Sequence, residues 1–137
     1  MEANVIWKQR MSFEGTAESG FKVPLGTSPT IGGDEDGFRP LELIAIGIAG
    51  CTSMDVVSIL KKKHQKLDTF EVKISAEMAT EHPKVFTNLR IEYILSGTDI
   101  SREAVERAVQ LSSEKYCPAQ AMFQEIVPIE MKINILN

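Results

Sequence analysis

The strongest constraint on this chain lies in its middle. From Leu43 to Cys51 every residue is apolar or glycine, and Met54, Val56, Val57, Ile59 and Leu60 extend the pattern. Pro40 suits a first helical position, where its missing N–H would be unpaired anyway. Lys61, Lys62 and Lys63 complement the negative end of a helix dipole. Together these residues predict one long helix from about Pro40 to His64. A helix apolar on nearly all sides must be buried, in a protein core or in a membrane. Thr52, Ser53, Asp55 and Ser58 interrupt it within the ~20 residues that a membrane span requires. The expectation is therefore a buried central core helix, with no membrane partner.

The flanking sequence has strand periodicity. Val5-Ile6-Trp7, Met11-Ser12-Phe13 and Phe21-Lys22-Val23 read as short N-terminal strands, with Ser19-Gly20 as a turn. Residues 26–38 are rich in Gly, Pro and acidic side chains and read as a loop. After the helix, Phe70, Val72, Ile74, Ala76 and Met78 alternate with Glu71, Lys73, Ser75 and Glu77, and Val85, Thr87, Leu89, Ile91, Tyr93 and Leu95 oppose Phe86, Asn88, Arg90 and Glu92. Thr80-Glu81-His82-Pro83-Lys84 joins these two strands as a hairpin loop. Ser101 caps a second helix reaching about Tyr116, Pro118 opens a short helical turn to Phe123, and Val127 to Ile135 form the last strand. Strands, helix, strands, helix and strand in that order predict a single α+β domain over residues 1–137, with antiparallel strands around the central helix.

Bulk properties exclude several functions. The net charge of -4 and an isoelectric point near 5.2 argue against an electrostatic nucleic-acid partner. No H-E-x-x-H, C-x-x-C or G-x-x-x-x-G-K occurs, so neither a metal nor a phosphate-bearing cofactor is expected. The first residues show no basic stretch followed by an apolar one, so a reducing, cytoplasmic setting is expected. There, two cysteines 66 positions apart, Cys51 and Cys117, are not a permanent staple.

Each cysteine has a bland reading beside a chemical one. Cys51 sits mid-helix, where a free thiol is commonly packing, and apolar burial makes it inert unless a cation comes from elsewhere in the fold. Gly47, Ala49, Gly50 and Ser53 are small enough to admit another helix, including that of a second subunit. Cys117 precedes Pro118 and so faces unpaired N–H groups that favour a thiolate; filling a helix junction is the alternative. Glu42 is favoured at a helix start whatever its function. Arg10 and Arg39 are the arginines before the core helix.

At Arg39-Pro40-Leu41-Glu42-Leu43-Ile44-Ala45-Ile46-Gly47-Ile48-Ala49-Gly50-Cys51 the chain resembles the OsmC/Ohr family of osmotically inducible and organic hydroperoxide resistance proteins. Glu114-Lys115-Tyr116-Cys117-Pro118 is similar to that family's second-cysteine motif. Val56 to Lys62 and Glu81 to Thr87 resemble a less characterised OsmC-like branch. The resemblance implies an intertwined homodimer with two sites at its interface. It implies a peroxidase in which Cys51 attacks an organic hydroperoxide and becomes a sulfenic acid. Cys117 would then condense with it to a disulfide, which a dithiol reductant (a lipoyl protein or a thioredoxin-like one) reopens. It further implies an Arg–Glu pair that holds the first thiolate, with Arg10 as the arginine (Arg39 the alternative) and Glu42 as the glutamate. The sequence departs from the family here, because Leu41 occupies the aligned glutamate position. Glu42 and Cys51, nine residues apart, stand about 14 Å apart along a helix axis and on roughly opposite faces, so a shared site would use two subunits. Two other classes remain open: a protein holding a small hydrophobic ligand with inert thiols, and a thiol–disulfide exchanger acting on another protein.

Overall fold

The computed structural model describes residues 1–136. The chain forms two compact units, Met1–Ile44 and Ala45–Asn137.

The first unit is a three-stranded antiparallel sheet in the order β1 (Ala3–Gln9), β2 (Ser12–Ala17), β3 (Lys22–Leu25). Trp7 pairs with Phe13 across the first hairpin, and Phe13 pairs with Leu25 across the second. The β1–β2 turn places Arg10 in the left-handed region, at φ 51°. The expected loop over 26–38 contains a short 3-10 turn, Pro29–Ile31, and returns to the sheet through a bridge from Phe38 to Leu25. That return is close: a Cβ on Gly37 would lie 2.6 Å from the Pro24 carbonyl carbon, so only glycine fits. Every residue of β1 is exposed, including Val5, Ile6 and Trp7.

Helix α1 (Pro40–Lys62) starts in this unit and continues in the second. Its N-terminus is capped by the Glu42 carboxylate, which accepts from the Arg39 backbone N–H at 2.8 Å.

The second unit holds the sheet β4 (Lys66–Met78), β5 (Phe86–Thr98), β6 (Ile129–Leu136) in that order. Central β5 buries Leu89, Ile91, Tyr93 and Leu95 completely, the inward face of its alternation. Strands β4 and β5 form the expected antiparallel hairpin, with Ile74 opposite Ile91. The last strand corrects the all-antiparallel expectation: β6 runs parallel to β5, with Tyr93 level with Ile133. A parallel partner needs a long crossover. Here it is α2 (Arg102–Leu111), a π-helical turn (Ser112–Tyr116) and α3 (Pro118–Phe123). Ser101 caps α2 as expected, its hydroxyl accepting from the Ala104 N–H at 3.2 Å.

Helix α1 also departs from expectation. Within the single chain it is not buried all round; only Ile48, Thr52, Val56 and Leu60 are buried, a stripe at four-residue spacing. Ile46, Met54 and Val57 remain exposed, Met54 at 76%. By length and composition alone the helix is apolar enough to cross a membrane, its mean hydropathy reaching 2.0 over 18 residues. One turn of polar chemistry enters the buried stripe at Thr52, and the candidate site is built around it.

Candidate functional site

The second unit brings Cys51 and Cys117 together. Both are free thiols; Cys51 is half-buried and Cys117 is 2% exposed. The local sequence fixes Cys117 in three ways. The π-helical turn ends with its N–H donating to the Ser112 carbonyl at 2.8 Å. Pro118 then starts α3, leaving Cys117 extended as its N-cap. Finally, the Cys117 Sγ accepts from the Gln120 backbone N–H at 3.4 Å. This is the helix-start N–H contact that the sequence predicts, but the expected preference for thiolate does not prevail. Burial pushes the Cys117 thiol up to about 11, against the lowering effect of the Gln120 and Ala119 N–H groups. The neighbouring Cys51 adds to the rise. Cys117 therefore stays protonated at neutral pH, facing Cys51.

Beside the two sulfurs runs a buried polar network that sequence reasoning missed. The Thr52 hydroxyl lies 2.8 Å from the Tyr93 hydroxyl and 2.7 Å from that of Ser112. Ser112 donates to the Asp55 carboxylate at 3.0 Å. Thr52, Tyr93 and Ser112 are wholly buried, Gln120 is 1% exposed, and Asp55 is half-buried. Burial pushes the Tyr93 phenol up; the charges of Cys117 and Asp55 act in the same direction, while hydrogen bonding from Thr52 and Gln120 opposes them. The Gln120 side-chain Oε1 is buried without a partner. The signal was present in the sequence. Thr52 falls in the inward stripe of α1 and Tyr93 on the apolar face of β5, and buried hydroxyls must find partners.

The remaining predicted residues belong to the first unit and have partners there. Arg10 donates through Nε to the Asp34 carboxylate at 3.2 Å and through Nη2 to the Gly32 carbonyl at 3.0 Å. Arg39 pairs with Glu35 at 3.5 Å. Glu42 caps α1, as its place in the first turn dictates. Among the described residues no group of His, Cys, Asp or Glu is arranged to hold a metal ion.

An α+β chain with a long central helix, two small sheets and a facing pair of free thiols defines the class. Residues 32–132 match the OsmC-like protein family. The chain belongs to that family. Protein YhfA of Escherichia coli K12 is 36% identical over 129 residues, covering 94% of this chain and 93% of its own. The crystal structure of an OsmC-like protein from Mycoplasma pneumoniae superposes with a TM-score of 0.84 at 14% identity, covering 99% of this chain and 96% of that one. An organic hydroperoxide resistance protein from Elizabethkingia anophelis shares the fold with a TM-score of 0.71 at 15% identity, covering 98% and 94%.

Proposed function

We propose that this protein is a thiol peroxidase for organic hydroperoxides, with Cys51 as nucleophile and Cys117 as resolving thiol. The observation that carries the reading is the meeting of two free thiols from distant parts of the sequence, one half-exposed and one buried. Membership of a family that includes organic hydroperoxide resistance proteins supports it.

In this reading the Cys51 thiolate attacks the terminal peroxide oxygen and the O–O bond breaks. The alcohol leaves with a proton, and Cys51 becomes a sulfenic acid. Cys117 attacks that sulfur, the S–O bond breaks, water leaves and a disulfide forms. A dithiol then reduces the disulfide by exchange. The asymmetry of the pair fits these roles: the more accessible sulfur meets the substrate, and the buried one waits until a sulfenic acid forms beside it. The active form is a homodimer in a cytoplasmic setting, with the uncovered apolar face of α1 in the seam. Arg10 supports the Cys51 thiolate, with Glu42 orienting it.

Peroxide added to wild type in one equivalent is expected to give a Cys51–Cys117 disulfide by mass spectrometry. In Cys117→Ser it is expected to stop at a Cys51 sulfenic acid or higher oxide. An oxidised wild-type chain without that disulfide would remove Cys117 from the mechanism. Trapping of a mixed disulfide with a second protein, without peroxide consumption, would instead favour a thiol–disulfide exchanger.

A further inference from the structure

Ser112 is wholly buried, and each of its polar groups has a partner. Its backbone N–H is shared between the Ala108 and Val109 carbonyls. Its hydroxyl donates to the Asp55 carboxylate at 3.0 Å, since a carboxylate only accepts. That oxygen, its one proton spent, accepts from the Thr52 hydroxyl 2.7 Å away. Its carbonyl accepts from the Cys117 N–H at 2.8 Å.

These bonds lead to both thiols. Thr52 directly follows Cys51 on α1, and Asp55 stands one turn on from Cys51, on the same helix face. The Ser112 side chain therefore grips the turn of α1 that carries Cys51, while its carbonyl grips the main chain of Cys117. The second grip depends on the π-helical turn Ser112–Tyr116. An ordinary α turn would bring Tyr116 to that carbonyl; the extra residue of a π turn brings Cys117 instead. Turns of this kind are rare and occur often at functional sites.

We propose that Ser112 is a positioning residue for disulfide formation, tying the Cys51 turn of α1 to the main chain of Cys117 so that the resolving sulfur is held ready to attack oxidised Cys51. The inference deepens the resolving role proposed for Cys117 and rests on it. In the step served, the Cys117 sulfur supplies the electron pair of the new S–S bond. The bond from Cys51 to its leaving group breaks, and the leaving group takes that pair. A sulfenic hydroxyl leaves with the Cys117 proton as water. Two cysteines join only when their Cα atoms stand within about 7 Å and their Cβ atoms face, so a small displacement of Cys117 costs rate directly. Ser112 touches neither sulfur and acts through the geometry of Cys117.

The aromatic disulfide DTNB tests the tether without peroxide. Cys51 attack releases one thionitrobenzoate, and Cys117 attack on the resulting mixed disulfide releases a second; both phases are read by absorbance. Ser112→Ala and Thr52→Val are each expected to slow the second phase by about ten-fold or more and to leave the first unchanged. The double variant should be no slower than the slower single one, because both break the same tie. Thr52→Ser keeps the hydroxyl and should keep the wild-type second phase. Tyr93→Phe removes a hydroxyl from the same buried network but leaves both Ser112 side-chain bonds in place, so its second phase should also match wild type. Tyr93→Phe as slow as Ser112→Ala would reduce Ser112 to a general structural role and overturn the tether. A second phase at the wild-type rate in folded Ser112→Ala would overturn it too; if that variant does not fold, Thr52→Val at the wild-type rate does so equally. Wild type that completes both phases but consumes no peroxide would reject the peroxidase reading and leave the tether standing.

Discussion

Cys117 shows how two elementary effects compete at a single residue. The start of α3 offers its sulfur N–H groups, which favour the anion, while burial favours the neutral thiol, and burial prevails. The consequence for stability has a definite sign. The thiol's ordinary value of 9.0 is raised in the folded chain to about 11, so the folded form holds this proton more tightly than the unfolded form. The associated stabilisation, on the order of 2 kcal/mol, is fully present below the unfolded value and is lost as pH rises through the folded one. Chemical denaturation between pH 9 and 11 should therefore show stability falling with pH. Cys117→Ser should flatten that slope without abolishing it, because Tyr93 is raised in the same direction. A slope identical in the variant would contradict the burial argument. The sequence places Cys117 before a helix start, which the structure bears out. Its charge state was not legible, because burial depends on what the rest of the fold packs over the sulfur. Glu42 illustrates the reverse case, where a local rule suffices: a first-turn carboxylate caps the helix that Pro40 opens.

Elements were legible where periodicity was strong. The alternation over β5 put Leu89, Ile91, Tyr93 and Leu95 on one face, and all four are buried. The direction of β6 was not legible, because period-two alternation is the same for parallel and antiparallel neighbours. For α1, composition announced burial without saying which side is covered within one chain. The single chain covers only the stripe Ile48, Thr52, Val56 and Leu60. The polar site hides in that stripe, since Thr52 reads as an interruption until Tyr93 and Ser112 are seen to meet it. Gly47 and Gly50 belong to the open surface: a Cβ at either would meet nothing within 4 Å. In an isolated chain Gly50→Ala should therefore stabilise the helix by about 0.5–1 kcal/mol. In the proposed homodimer the bulkier Gly50→Leu should instead weaken association, read as a shift toward monomer by light scattering with helical circular dichroism retained. A Gly50→Leu chain that stays fully dimeric would move the seam away from this face.

At the scale of the whole molecule, the exposed apolar residues need an explanation. Val5, Ile6 and Trp7 on β1, and Ile46, Met54 and Val57 on α1, are all exposed in one chain, Trp7 at 64%. Surfaces of this kind mark interfaces. The proposed homodimer would cover them, and light scattering of wild type should return twice the 15.2 kDa chain mass. A monomer would reject that assembly. Family and fold follow from the matched residues and from the two cysteine motifs, both of which were readable in the sequence. Chemistry is the further step, and one measurement tests it most directly: consumption of cumene hydroperoxide and of hydrogen peroxide with dithiothreitol as reductant, by wild type and by Cys51→Ser. The thiol-peroxidase account predicts faster turnover of the organic peroxide by wild type, and none by Cys51→Ser with its fold intact. Near-normal turnover in Cys51→Ser, or no turnover in wild type, would contradict it.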